Sequence, residues 1–125
     1  MTARLITAFA VLALLQLAFL TPCRAVTGTV TIEPKYKKDS ISAPEPEFPV
    51  AAKNLGEQGQ GIYRLKINQK TGTVDEVKVL KTTGAHDLDA SSVMTFFKWK
   101  FRPGSIDHRD VLVIFHVTGW ARGLH

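Results

Sequence analysis

Four histidines, one cysteine and 11 acidic residues are the groups in this 125-residue chain best suited to chemistry. Their spacing gives them little to do. His86, His108, His116 and His125 stand too far apart for two of them to meet a metal three or four residues from each other. His116 interrupts an otherwise apolar strand pattern, where a packed or edge histidine is the ordinary case. Lys70-Thr71-Gly72 repeats one motif of the penicillin-recognising enzymes, but no Ser-x-x-Lys accompanies it, and the tripeptide reads as a turn. The carboxylate pairs Glu45/Glu47, Asp75/Glu76 and Asp87/Asp89 fall in linker, turn and helix-cap positions. There is no phosphate loop and no Gly-x-Ser-x-Gly elbow. No set of residues shares acid, base and nucleophile roles. The expectation is a protein that is not an enzyme, with no catalytic residue, no metal and no cofactor.

The densest block is aromatic: Phe96-Phe97-Lys98-Trp99-Lys100-Phe101-Arg102-Pro103-Gly104. Trp99 and Phe101 carry enough apolar surface to anchor a helix end onto a sheet. Pro103-Gly104 then stops the helix and turns the chain.

Around this block the hydrophobic periods change. Pro49 suits the first turn of a short helix, Val50–Leu55, with Gly56 as its stop. Tyr63, Leu65 and Ile67 alternate with Arg64 and Lys66, which predicts a strand over Gly61–Asn68. After the turn Gln69–Gly72, Val74–Lys81 predicts a second, antiparallel strand. Asp87 or Asp89 is expected to open a helix, with Leu88, Ser92, Phe96 and Trp99 on one stripe. Val111, Val113, Phe115 and Val117 share one face of a last strand, Asp110–Thr118, and Leu112, Ile114 and His116 the other. Upstream, Val26, Val30 and Ile32 alternate with polar residues and suit a short extra strand. Glu33–Glu47 holds three prolines, which disfavour regular structure. The predicted fold is α+β: a three-stranded antiparallel sheet with one packed helix, in the order β-β-α-β, preceded by a short helical turn. The division is 1–25 leader, 26–47 polar lead-in or linker, 48–118 domain and 119–125 tail.

The leader has Arg4, a predominantly apolar run from Leu5 to Leu20 that includes Thr7 and Gln16, and then Thr21-Pro22-Cys23-Arg24-Ala25. That is the layout of a secretory signal peptide. Its 16 residues fall short of the roughly 20 that span a bilayer. Cleavage after Ala25 is expected. A retained inner-membrane anchor facing the periplasm and a lipoprotein formed through Cys23 are the alternatives. Cleavage removes two of the 16 basic residues and none of the 11 acids, which leaves a net charge of +3. So mild a charge is no nucleic-acid footprint.

Over about Glu45–Thr118 the sequence resembles the TonB C-terminal domain family. The resemblance rests on Phe48-Pro49 with Ala51, on Gly59-x-Gly61 and on Thr71-Gly72-x-Val74. It continues through Val77-x-Val79-Leu80, Thr82-Thr83-Gly84, Leu88-Asp89, Trp99-Lys100-Phe101-x-Pro103-Gly104 and Val113-Ile114-Phe115. It implies a periplasmic module that contacts a short extended segment of TonB-dependent outer-membrane receptors, in the uptake of iron chelates or vitamins. It further implies inner-membrane motor proteins as partners if the chain is anchored. By this resemblance partner binding falls on Val111, Leu112, Val113, Ile114, Phe115, His116 and Val117, with Phe48 and Pro49 a second candidate. Trp99, Phe101, Pro103 and Gly104 are then a structural motif. An exposed last strand would take up a peptide as a further strand, or pair with a second copy in a homodimer. Two departures set the chain apart from a full transducer. Only residues 26–47 stand where a long proline-rich spacer is usual, reaching about 70 Å at about 3.1 Å per residue. The apolar leader also lacks the histidine that such transducers typically carry. A binding module is therefore expected, with a short membrane-anchored transducer as the alternative.

Overall fold

The computed structural model describes residues 26–119, so the leader and residues 120–125 lie outside it. Six strands and two helices follow in chain order. They are β1 (Thr27–Thr31), β2 (Ser40–Ser42), α1 (Val50–Asn54), β3 (Gly59–Ile67), β4 (Val74–Lys81), α2 (His86–Phe96), β5 (Lys100–Phe101) and β6 (His108–Thr118). A 3-10 turn, Pro34–Lys37, lies between β1 and β2.

The β3–β4 hairpin forms where the apolar alternation predicts it. Asn68 nucleates its turn: its carboxamide oxygen accepts the Lys70 and Thr71 amides at 2.9 and 3.2 Å. Gly72 then takes φ +80°, a conformation with little penalty for glycine. β6 returns antiparallel to β3 from Gly59↔Phe115 to Lys66↔His108. The predicted three strands are thus β4, β3 and β6, with α2 on one face. β1 adds a fourth, giving the order β1-β6-β3-β4.

Alternation decides what is buried. Tyr63, Leu65 and Ile67 of β3 and Val111, Val113 and Phe115 of β6 point to the helix face, and none is more than 4% exposed. From α2 they meet Leu88, Ser92 and Phe96, three of the four residues expected on its stripe; the fourth, Trp99, is buried beyond the end of the helix. Burying such side chains is worth about 1.5–3 kcal/mol each. Ser92 is tolerated there because its hydroxyl donates to the Leu88 carbonyl at 3.0 Å. A chain of tilted or edge-on rings, Tyr63–Phe96–Trp99–Phe101, runs through this core at centroid separations of 5.0–6.0 Å.

β3 and β6 each start two residues earlier than the sequence reading has them, and both ends of α2 differ from it. α2 starts at His86 behind Ala85, so neither Asp87 nor Asp89 caps it. It stops at Phe96, well short of Arg102. Lys98 and Trp99 donate to carbonyls three residues back, which tightens the last turn. Lys100–Phe101 are then drawn into a strand against Ser40–Ser42 on one side. On the other, the Phe101 amide donates to the Gly72 carbonyl at 2.8 Å. Residues 26–47, expected as a polar lead-in, carry β1, the 3-10 turn and β2. Among the described residues no helix is long and apolar enough to cross a membrane.

Candidate protein-docking site

β6 carries the first candidate set. Val111, Val113 and Phe115 are core residues; Leu112 and Ile114 lie half-buried on the opposite face, with His116 exposed and Val117 half-buried. On that open face Leu112 sits opposite Ile62 and Ile114 opposite Gln60. One step along, Asp110 and Arg64 form a two-pronged ion pair at 2.7 and 3.0 Å. The hydrogen bond from Arg64 holds the Asp110 carboxyl below its ordinary value.

The last strand is not at an edge, contrary to the sequence reading. β1 runs antiparallel along its outer side from Thr27↔Thr118 to Thr31↔Ile114. The reason lies in the Val30/Ile32 alternation. Val30 packs against the core opposite Phe115, and Ile32 is buried at 5% exposure. Beyond Ile114 the β1 ladder ends and the chain turns off into Pro34–Lys37. The outer strands of the described sheet are β1 and β4.

The two candidate regions meet. Phe48 stacks edge-on against Phe115 at 5.4 Å and 87°. The same ring underlies β1: a β-carbon added at Gly28 would stand 2.7 Å from Phe48 Cδ2. Pro49 sits beside it as the N-cap of α1, whose first bond runs from the Lys53 amide to the Pro49 carbonyl at 2.9 Å. The C-terminal half of β6, Phe48 and α1 thus frame one slot, and β1 lies in it.

The aromatic block lies apart from this slot. The Trp99 indole N–H donates to the Pro44 carbonyl at 2.7 Å, which fixes the lead-in against the end of α2. Phe101 is fully buried between β2 and the Gly72 turn. Pro103 and Gly104 are exposed and form the turn into β6, closed by the Ser105 amide on the Arg102 carbonyl at 3.1 Å.

Two groups matter more than their spacing suggested. Asp89 accepts from the Tyr63 hydroxyl at 2.6 Å, from the Thr83 amide and hydroxyl at 3.0 Å each, and from the Thr82 hydroxyl. Burial pushes this carboxyl up, but those donors together outweigh it and hold it below the usual range. Burial, and then the bond to Asp89, raise the Tyr63 phenol. Arg109 donates from Nη1 to the Lys35, Tyr36 and Lys38 carbonyls, the last at 2.7 Å, and lies 3.8 Å from the Asp39 carboxylate. It bolts the Pro34–Lys37 turn to β6. A threonine pair five residues or more before an aspartate was the available signal for the first group; nothing local pointed to the second.

Chemically the slot offers main-chain donors and acceptors, two aromatic rings and aliphatic side chains. Among the described residues no three His, Cys, Asp or Glu side chains converge for a metal. That equipment suits holding a peptide.

The family described as the Gram-negative bacterial TonB protein C-terminal matches residues 44–118. No curated protein matches the chain. Domains of this family are periplasmic, interact with outer-membrane receptors, and serve protein interaction in TonB-system transport, with no catalytic role. The match covers more than half of the 125 residues and runs from the Pro44 carbonyl that receives Trp99 to the end of β6; the chain belongs to the TonB C-terminal family.

Proposed function

We propose that this chain is a periplasmic binding module that docks an extended segment of a TonB-dependent outer-membrane receptor, or of a related envelope protein, by strand addition along β6. The observation that carries this reading is the pairing of Thr27–Thr31 with Ile114–Thr118: the outer side of β6 holds an extended segment, and that segment is the chain's own. A partner joining there would gain main-chain hydrogen bonds for affinity and would present alternate side chains to Phe48 and Phe115 for selection. Val111–Val117 supply the strand, and Phe48 and Pro49 the adjacent apolar wall. The role would be in receptor-driven uptake of iron chelates or vitamins, with the leader cleaved after Ala25. A short membrane-anchored transducer working with inner-membrane motor proteins is the second reading. It rests on the apolar run Leu5–Leu20 being kept, and the intact mass of the protein recovered from the envelope decides between the two.

Photo-crosslinking in the native host tests the docking itself, with the crosslinker at Leu112 and separately at Ile114, both half-buried on the open face. An adduct with an outer-membrane receptor is the expected result. Adducts only with the chain itself or with other periplasmic proteins would overturn the receptor role.

A further inference from the structure

The matched family domain begins at residue 44, yet the outer side of β6 is covered by residues 27–31. β1 is an addition to that domain, laid over the edge where strand addition would take place. Its hold is slight. Of its five residues, three are threonines facing away from the core, one is Gly28, and only Val30 packs inward. The chain beyond β1 is held far better. Ile32 is buried, Arg109 grips two carbonyls of the 3-10 turn and that of Lys38 just after it, and β2 pairs with β5. The lead-in is therefore bolted from Ile32 onward, while Thr27–Thr31 are held by ladder hydrogen bonds, one long bond from the Thr118 hydroxyl to the Thr27 carbonyl at 3.4 Å, the close approach of Gly28 to Phe48 and one valine. Strands with so little apolar burial open at low free energy, well below global unfolding.

We propose that residues 27–31 form a displaceable resident strand that competes with the partner segment for the β6 edge, so that docking proceeds by strand exchange. The proposal rests on the strand-addition reading above and adds to it a gate and a selection rule. Leaving the slot, β1 uncovers Phe48 and Phe115. The incoming segment meets the same two constraints that β1 meets. Opposite Val117 the Phe48 ring leaves no room for a β-carbon, so glycine fits; two residues on, opposite Phe115, a branched aliphatic side chain packs. The class of ligand is thus an extended peptide with a Gly-x-Val type pattern. As an intramolecular strand β1 competes at an effective concentration on the order of millimolar.

The test uses the full chain with Cys23→Ser, and as probe a dye-labelled synthetic peptide of residues 26–33, read by fluorescence anisotropy. Three forms are compared: the parent, a loosened form with Gly28→Val, and a locked form with Thr29→Cys and His116→Cys, positions that face each other across the ladder. The expected order of affinity is loosened above parent by about tenfold or more, and oxidised locked form below detection, with binding returning when that same protein is reduced. A probe peptide carrying its own Gly28→Val change should lose binding to every form. Equal affinity for all three forms, including none for any, overturns the gate. The underlying reading is judged separately by the receptor adducts at Leu112. Adducts that persist beside equal peptide affinities sink the gate alone. The expected affinity order without receptor adducts leaves the exchangeable strand and sinks the receptor role.

Discussion

Asp89 joins β3, the loop after β4 and the first turn of α2, because its two oxygens receive the hydroxyl of Tyr63, the amide and hydroxyl of Thr83 and the hydroxyl of Thr82. The family pattern Thr82-Thr83-Gly84 with Leu88-Asp89 thereby acquires a physical reason: the threonines turn the loop so that its donors converge on a carboxylate. Tyr63→Phe removes one of those donors and leaves the aspartate with others, so a loss of about 1–2 kcal/mol is expected in urea unfolding. Asp89→Ala leaves the buried Tyr63 hydroxyl without its acceptor and should cost more, about 1–3 kcal/mol beyond any packing loss. The double variant should fall short of the sum, and strict additivity would show that the two side chains are not coupled. Trp99 is a second residue-scale anchor. Trp99→Phe keeps most of the apolar contact but abandons the Pro44 carbonyl, at about 1–3 kcal/mol.

At the scale of elements, Arg109 tests how the lead-in is attached. Arg109→Lys keeps the charge but loses the fork in which Nη1 reaches three carbonyls while Nη2 faces the Asp39 carboxylate, so the Pro34–Lys37 turn should loosen while the sheet stays intact. Hydrogen exchange would report this as faster exchange of the Tyr36 amide, which donates to the Glu33 carbonyl at 3.1 Å, with the β3 amides unchanged. Global acceleration would instead make Arg109 part of the core. The β3–β4 hairpin and the apolar stripe of α2 were legible in the sequence because each is written locally, in a period of two or in side chains one turn apart. β5 was not: Lys100–Phe101 follow a helix without a breaker, and only pairing with Ser40–Ser42 and the Gly72 turn, far away in sequence, makes them a strand. The cover over β6 was half legible. Alternation at Val30 and Ile32 suggested a strand, but no local pattern says which edge a five-residue strand will choose. That cover changes the meaning of Ile114→Pro, a natural probe for an edge strand. Ile114 pairs with Gln60 on one side and Thr31 on the other, so proline there strikes an interior strand and should unfold the domain.

For the whole molecule, the acid end of the stability profile is set by three carboxylates. Asp107 is held below its ordinary value by the hydrogen bond to His108, and Asp110 by that from Arg64. Asp89 is lowered as well, where the Thr82, Thr83 and Tyr63 donors outweigh the opposing effect of burial. A carboxyl with a lower pKa folded than unfolded binds fewer protons in the native state. Its contribution is present above the unfolded value, 3.8, and is lost as pH falls through the folded values. The Asp107 and Asp110 pairs are solvent-facing and salt-screened, so they add little. Asp89, partly enclosed, should dominate. Tyr63 acts at the other end. Its phenol is raised from 10.0, so the stability it lends is complete below about pH 10 and declines as pH rises from there toward the folded value. Urea midpoints should therefore be flat from about pH 5 to 9 and fall on either side. In Asp89→Asn the acid limb should flatten while the alkaline limb remains, and 0.5 M salt should leave the parent's acid limb largely in place. An acid limb that is unchanged in Asp89→Asn but collapses in salt would transfer the effect to the surface pairs and remove Asp89 from the centre of the fold's electrostatics.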